Sequence, residues 1–140
     1  ILDTTRVPAD ITDKTASMAA NIGLKLAESL DLIGLLAVEM FVMKDGTVVM
    51  NEIAPRPHNS GHWTQDGAQT SQFEQFVRAI TGQPLGETKM TRAIKMQNLI
   101  GDAVKQLPSF FNNPNAKIHL YGKQEVRPGR KMGHVNILEP

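Results

Sequence analysis

Cysteine is absent from the 140 residues, which excludes disulfides and thiolate chemistry. No apolar run approaches the ~20 residues that a membrane-spanning helix needs. The opening stretch, ILDTTRVPADITD, has neither the basic start nor the apolar core of a secretory signal. It also lacks an initiator Met, so the chain is expected to be a fragment of a longer protein. A large excess of one charge is missing too: the formal net charge is +1, which argues against a dominant electrostatic footprint for nucleic acid. No internal repeat or low-complexity segment is present. What remains is ordinary globular composition, 41% hydrophobic and 21% charged, enough for one domain or two small pieces, with an intracellular setting as the default.

The stretch Ala37 to Trp63, AVEMFVMKDGTVVMNEIAPRPHNSGHW, concentrates the chemistry. Two Val- and Met-rich runs flank Lys44-Asp45-Gly46-Thr47, and Asp-Gly between apolar runs signals a β-hairpin. With Asp45 and Gly46 as the loop, Met43 should face Val48, Phe41 should face Met50, and Glu39 should lie opposite Glu52. Like charges opposed across a strand pair are destabilising, and more so at the edge of an apolar surface. A hard divalent cation would resolve the conflict, since Mg²⁺ is held by one or two carboxylates plus water and substrate phosphates. The alternatives are a turn shifted by one residue, or carboxylates satisfied by Arg56 or another basic partner.

Pro55 and Pro57 stop the second strand and begin a rigid loop that carries Arg56, His58, Asn59, Ser60 and His62. A guanidinium beside imidazole, amide and hydroxyl groups suits a small oxyanion such as bicarbonate or phosphate. The two histidines could instead bind zinc, although no cysteine and no HExxH pattern accompanies them. The bland alternative is a polar surface loop.

Around this stretch the chain reads as support. Ile1 to Ile11 is expected to be irregular. Thr12 or Asp13 should cap a helix with the stripe Met18, Ile22, Leu26 and Leu30, ending near Asp31 to Gly34 and packing on the hairpin. Ser71 and Glu74 stand at capping-box spacing before a second helix whose stripe Phe73, Phe76, Val77 and Ile80 reads as core, closed by Gly82 and Pro84. Pro84-Leu85-Gly86 is the expected boundary, dividing the chain into 1–86 and 87–140. Beyond it Arg92 to Gly101, Lys117 to Tyr121 and Lys131 to Leu138 are strand-like, with a short helix or turn at Asp102 to Leu107 and a loop over PSFFNNPNA. Between the last two strands, Lys123, Arg127, Arg130 and Lys131 form a glycine-interrupted basic turn suited to a phosphate monoester. On composition alone a solvated turn is the favoured reading. A nucleic-acid-contacting hairpin is the other alternative, though only Tyr121 supplies an aromatic.

Taken together, VEMFVMKDGTVVMNEIAPRPHNSGHWTQDGAQTSQFEQFVRAITGQPLG and LYGKQEVRPGRKMGHV closely resemble the 5-(carboxyamino)imidazole ribonucleotide synthase family, ATP-grasp ligases of purine biosynthesis. NEIAPRPHNSGHW and GRKMGH are the most specific parts, and the likeness runs over essentially the whole chain, corresponding to the C-terminal part of the family. It implies an α+β fragment: the closing part of an ATP-grasp domain, then a small β-rich C-terminal domain. It further implies use of ATP and bicarbonate to form carboxyphosphate and carboxylate 5-aminoimidazole ribonucleotide, in a cytoplasmic homodimer acting on small molecules, with no nucleic acid and no membrane. By position, Glu39 and Glu52 would hold Mg²⁺ on the ATP phosphates, with Asn51 beside the nucleotide. Arg56, His58 and Asn59 would hold bicarbonate or carboxyphosphate, and Lys123 and Arg130 the ribonucleotide 5′-phosphate. Groups covering adenine would lie upstream of Ile1, so the fragment alone should be inactive. Another ATP-grasp carboxylating or formylating ligase, and a non-catalytic anion- or nucleic-acid-binding module, are the remaining alternatives.

Overall fold

The computed structural model describes residues 1–139. Among these residues, six strands build two separate sheets, with six helical segments around them. Strands β2 (Ala37–Val42) and β3 (Val48–Ala54) form an antiparallel hairpin. Helix α1 (Asp13–Ser29) packs against both of its strands. Thr12 caps α1 by accepting from the Thr15 backbone N–H at 3.2 Å, and the chain leaves the helix through Asp31 at φ 44°.

The hairpin turn differs from the expected one. Gly46 N–H donates to Met43 O at 2.9 Å, Met43 N–H donates to Thr47 O at 2.8 Å, and Gly46 has φ 83°. Lys44, Asp45 and Gly46 therefore form a three-residue loop with glycine in the left-handed position, instead of a two-residue Asp-Gly turn. Asp45 Oδ1 accepts from Thr47 N–H at 2.9 Å, which holds this carboxyl below the usual range and secures the longer loop. The register shifts accordingly: Phe41 faces Val49, not Met50, and Val42, not Met43, faces Val48. The same register sets Met40 opposite Met50, and a β-bulge beyond it, with Asn51 as the extra residue, sets Glu39 opposite Glu52. The carboxylate pair is thus restored by two irregularities that cancel.

The second sheet has the order β1-β4-β6-β5, all antiparallel: β1 (Thr4–Val7), β4 (Ile94–Ile100), β6 (Lys131–Leu138) and β5 (Ala116–Leu120). The opening segment is not wholly irregular, because β1 adds to the edge of β4, and the sheet draws on both sides of Pro84–Gly86. The central strands carry the core, with Ile94, Met96, Leu99 and Val135 at 0% exposure. The helical segment 101–111, comprising a 3₁₀ stretch (Gly101–Gln106) and α4 (Leu107–Phe111), lies beside β4, β5 and β6 and converts half of the expected loop into helix. Pro108 near the start of α4 is compatible with helix because the first turn needs no backbone donor there.

The other face meets the loop that follows β3. There α2 (Thr64–Gly67) approaches β4 so closely that a Cβ on Gly67 would stand 2.5 Å from Ile94 Cγ1. Helix α3 (Gln72–Ile80) begins at Ser71, whose Oγ accepts from Glu74 N–H at 3.2 Å. The Glu74 side chain turns forward to Arg78 instead of back to the cap, so only half of a capping box forms. The stripe expected to be core is largely exposed: Phe73, Val77 and Ile80 all face outward, and the buried residue is Gln75. Phe76 alone of the stripe is half-buried, beside Gly34, and Gln75 adds a polar bracket by accepting from Gly86 N–H and donating to its O.

Candidate functional site

The β3 bulge brings Asn51 beside the carboxylate pair, where its Nδ2 donates to Glu39 Oε2 at 3.4 Å. His58 comes from the loop just beyond, its Nε2 3.6 Å from Glu39 Oε1. Ligand atoms of Glu39, Glu52 and His58 all lie within 4.8 Å of one another. Among the described residues, no Lys or Arg pairs with either carboxylate. Arg56, the alternative basic partner, donates to Pro57 O at 3.1 Å. Two opposed carboxylates with an amide and an imidazole at one point constitute an oxygen-rich donor set that fits a hard divalent cation.

The three groups line a cavity of ≈ 610 Å³ together with Ser60, Leu2 and Lys131. Lys131 stands at the start of β6, and its Nζ donates to Asn59 Oδ1 at 3.0 Å. Burial holds its ammonium below the ordinary lysine value, opposed by Glu39 and reinforced by Lys123. A half-buried, partly desolvated cation facing two carboxylates suits an anionic group held between them.

The loop owes its shape to α3 and β4. Gln72, the first residue of α3, accepts from His58 N–H and donates to His58 O, both at 2.9 Å, and donates to His62 Nδ1 at 2.7 Å. Ser60 meets His58 Nδ1 with its hydroxyl at 2.8 Å, leaving Nε2 toward the carboxylates. Asn59 and Asn98 exchange two amide hydrogen bonds of 2.8 Å.

Of the residues singled out from sequence, Glu39, Asn51, Glu52 and His58 come together, with Asn59 tied to them through Lys131. Arg56 opens instead onto a neighbouring cavity of ≈ 250 Å³ on the far side of His58 and Ser60. Lys123 and Arg130 do not line the carboxylate cavity: Lys123 is exposed over the Tyr121 ring at 5.4 Å with Nζ donating to Lys131 O at 2.6 Å, and Arg130 donates to Glu125 O at 3.3 Å. The sequence places Lys131 in the basic turn without marking it for the carboxylate cavity, and marks neither Gln72 nor Asn98. The two amides sit in helix and strand patterns that give no signal.

Behind Tyr121 lies a histidine cluster with a polar partner for nearly every group. Tyr121 OH is 2.9 Å from His134 Nδ1, His119 stacks on His134 at 4.6 Å, and His119 Nε2 is 2.8 Å from Asp66 Oδ2. His62, the second member of the possible zinc pair, stacks into this cluster 5.0 Å from His134. His134 is 1% exposed with Nε2 unpartnered, and burial pushes its pKa down to about 4, helped by His119 and His62 and opposed by Asp66. The unfolded chain therefore takes up a proton near pH 6.5 that the folded protein refuses until about pH 4. Stability should be full above pH 6.5 and fall as the pH drops below it, at a limiting slope of about 1.4 kcal/mol per pH unit for each such histidine. Urea midpoints measured at pH 7.5, 6 and 5 should decline in that order; a midpoint that holds across the range refutes the buried neutral state.

Residues 1–73 match the ATP-grasp domain family, and residues 95–140 match the phosphoribosylaminoimidazole carboxylase C-terminal domain. A curated relative from Brucella melitensis, N5-carboxyaminoimidazole ribonucleotide synthase, is 50% identical over 140 residues, covering 100% of this chain and 39% of the relative. A crystal structure of the ADP complex of an N5-carboxyaminoimidazole ribonucleotide synthetase is 48% identical with TM-score 0.95, over 99% of this chain and 37% of that one. The Aspergillus clavatus enzyme in complex with ADP and 5-aminoimidazole ribonucleotide is 35% identical with TM-score 0.94, over 100% of this chain and 39% of that one. The chain thus spans about two-fifths of the length of the curated relative, across the junction between two family domains. With more than half of its residues matched to that domain, and with relatives of this identity along its whole length, the chain belongs to the ATP-grasp family.

Proposed function

We propose that this chain is the C-terminal part of an ATP-dependent carbon–nitrogen ligase that carboxylates the exocyclic amine of 5-aminoimidazole ribonucleotide with bicarbonate, in purine biosynthesis. The observation that carries the reading is the opposed Glu39–Glu52 couple, without a Lys or Arg partner among the described residues, in a cleft faced by His58 and Lys131. The names of the relatives, which are ribonucleotide synthases, support the substrate.

In this reading Glu39 and Glu52 would hold Mg²⁺, with Asn51 beside the nucleotide; the ion would supply positive charge against the ATP phosphates. Arg56, His58 and Asn59 hold bicarbonate and the carboxyphosphate made from it, where fixed donors stabilise developing anionic charge. Lys123 and Arg130 receive the ribonucleotide 5′-phosphate. Their present partners are backbone carbonyls, which a phosphate would replace with charge-assisted bonds. The split of the family matches supports a division at 1–86 and 87–140. The reading carries with it a cytoplasmic homodimer, with groups for adenine supplied by sequence outside this chain. Productive geometry needs both sides of the nucleotide held, so the chain alone is inactive in this reading. No helix of the described residues is long and apolar enough to cross a membrane.

The test is phosphate release by the full-length enzyme with Mg²⁺, ATP and bicarbonate, with and without 5-aminoimidazole ribonucleotide. Release that depends on the ribonucleotide is expected. A folded enzyme that hydrolyses ATP only with a different amine acceptor would overturn the substrate and retain the ligase.

A further inference from the structure

Asn98 lies in the middle of β4, 1% exposed, and is the buried end of a polar chain that emerges in the cleft. Its Nδ2 donates to Asn59 Oδ1 and its Oδ1 accepts from Asn59 Nδ2, both at 2.8 Å, while Nδ2 also donates to Leu2 O at 3.0 Å. Asn59 Oδ1 then accepts a second bond, from Lys131 Nζ at 3.0 Å. A primary amide exchanging two bonds with another has one relative orientation, so both side chains are fixed in plane and rotamer. The Asn59 oxygen that receives Lys131 is consequently aimed by Asn98. Without that partner, Asn59 could rotate its amide and present nitrogen, a donor, to the ammonium.

The placement in the fold makes this coupling informative. Asn59 belongs to the loop after the hairpin, Lys131 to β6, and Asn98 to β4, 39 residues in sequence from Asn59. The loop and two neighbouring strands of one sheet meet at two amide groups, and Lys131, at the outer end of the chain of bonds, lines the cavity with Glu39, Glu52 and His58. Burying an amide costs about 1–3 kcal/mol unless it is hydrogen-bonded, and an apolar residue would serve a purely packing role there at less cost.

We infer that Asn98 is a positioning residue: through Asn59 it sets the orientation in which Lys131 is presented to the anion bound in the cleft between Lys131 and the metal-binding carboxylates. It has no contact with the cavity and touches no reacting atom, so its effect is expected on the chemical step and not on nucleotide affinity. The inference rests on the ligase reading above.

The experiment is a double-mutant cycle in the full-length enzyme, with Asn98→Leu, Asn59→Ala and both together, following kcat and the KM for ATP. Asn98→Leu keeps the branched shape, at a somewhat larger volume, and removes both bonds to Asn59. It should lower kcat about 30-fold, the range found for groups that orient a ligand from behind, with the KM for ATP within about twofold. In the Asn59→Ala background it should cost about twofold or less, because its route to Lys131 is already cut. Losses that multiply in the double variant overturn the inference, as does an Asn98→Leu enzyme that turns over normally. If Asn98→Leu does not fold, Asn98→Ala, which also removes both bonds to Asn59, is carried through the same cycle, and the same two outcomes decide. A wild-type enzyme with no ribonucleotide-dependent phosphate release would instead remove the ligase reading, a failure distinct from multiplicative losses in an active one.

Discussion

Glu52→Gln in the full-length enzyme is expected to lower ATP turnover about 100-fold while leaving the folded state as stable as before, or more so. The two effects have opposite signs for one reason. Glu52 faces Glu39 directly across the β2–β3 ladder, and no Lys or Arg among the described residues pairs with either. Neutralising one carboxylate removes a like-charge opposition that costs a few tenths of a kcal/mol to about 1 kcal/mol in the metal-free protein. It also removes half of the charge that would hold a divalent cation, and Gln presents one neutral oxygen where Glu presents a pair. A thermal melt and a Mn²⁺ titration followed by electron paramagnetic resonance separate the two: the melting temperature should hold or rise, and bound Mn²⁺ should weaken. Unchanged turnover with unchanged metal affinity would remove the metal role from this pair.

Gly133→Ala should destabilise the protein by about 3 kcal/mol, at the upper end of the cost of overpacking a core. Gly133 sits in β6 opposite Leu120 of β5, and a Cβ there would stand 2.4 Å from the His119 carbonyl oxygen and 3.2 Å from Leu120 Cα. Both obstacles are backbone, so no rotamer change relieves them. The strand pair would have to separate, and with it the ladder that sets His134 against His119. Denaturant unfolding measures the cost; a change below about 1 kcal/mol would mean that the two strands yield more readily than their hydrogen bonding implies.

The carboxylate pair was legible in the residues, but not by the route that named it. A two-residue Asp-Gly loop places Glu39 opposite Glu52, and so does the observed three-residue loop once the bulge at Asn51 adds one residue to β3. Turn chemistry alone does not choose between these loops, because Asp-Gly fits both: Gly46 serves as the left-handed residue in either. The bulge left no sequence signal, yet it puts the Asn51 amide on Glu39. The expected core stripe of α3 failed for a related reason. Periodicity identifies a face without saying what covers it, and here Phe73, Val77 and Ile80 point outward while Gln75 and Gln72 anchor the helix through polar bonds.

Local residue chemistry by itself determined the hairpin, the caps of α1 and α3, the strands on either side of the basic turn, and the pairing of acidic residues with an adjoining donor-rich loop. Each depends on neighbours within a few positions, where φ/ψ preference and side-chain period act directly. Only the tertiary structure decided that β1 joins β4, that Asn98 reaches Asn59, that Lys131 and not Lys123 or Arg130 shares the cavity with Glu39 and Glu52, and that Arg56 opens to its far side. These are contacts between residues tens of positions apart. Register, bulges and buried amide pairing set them, and none of these is encoded in the period of a single segment.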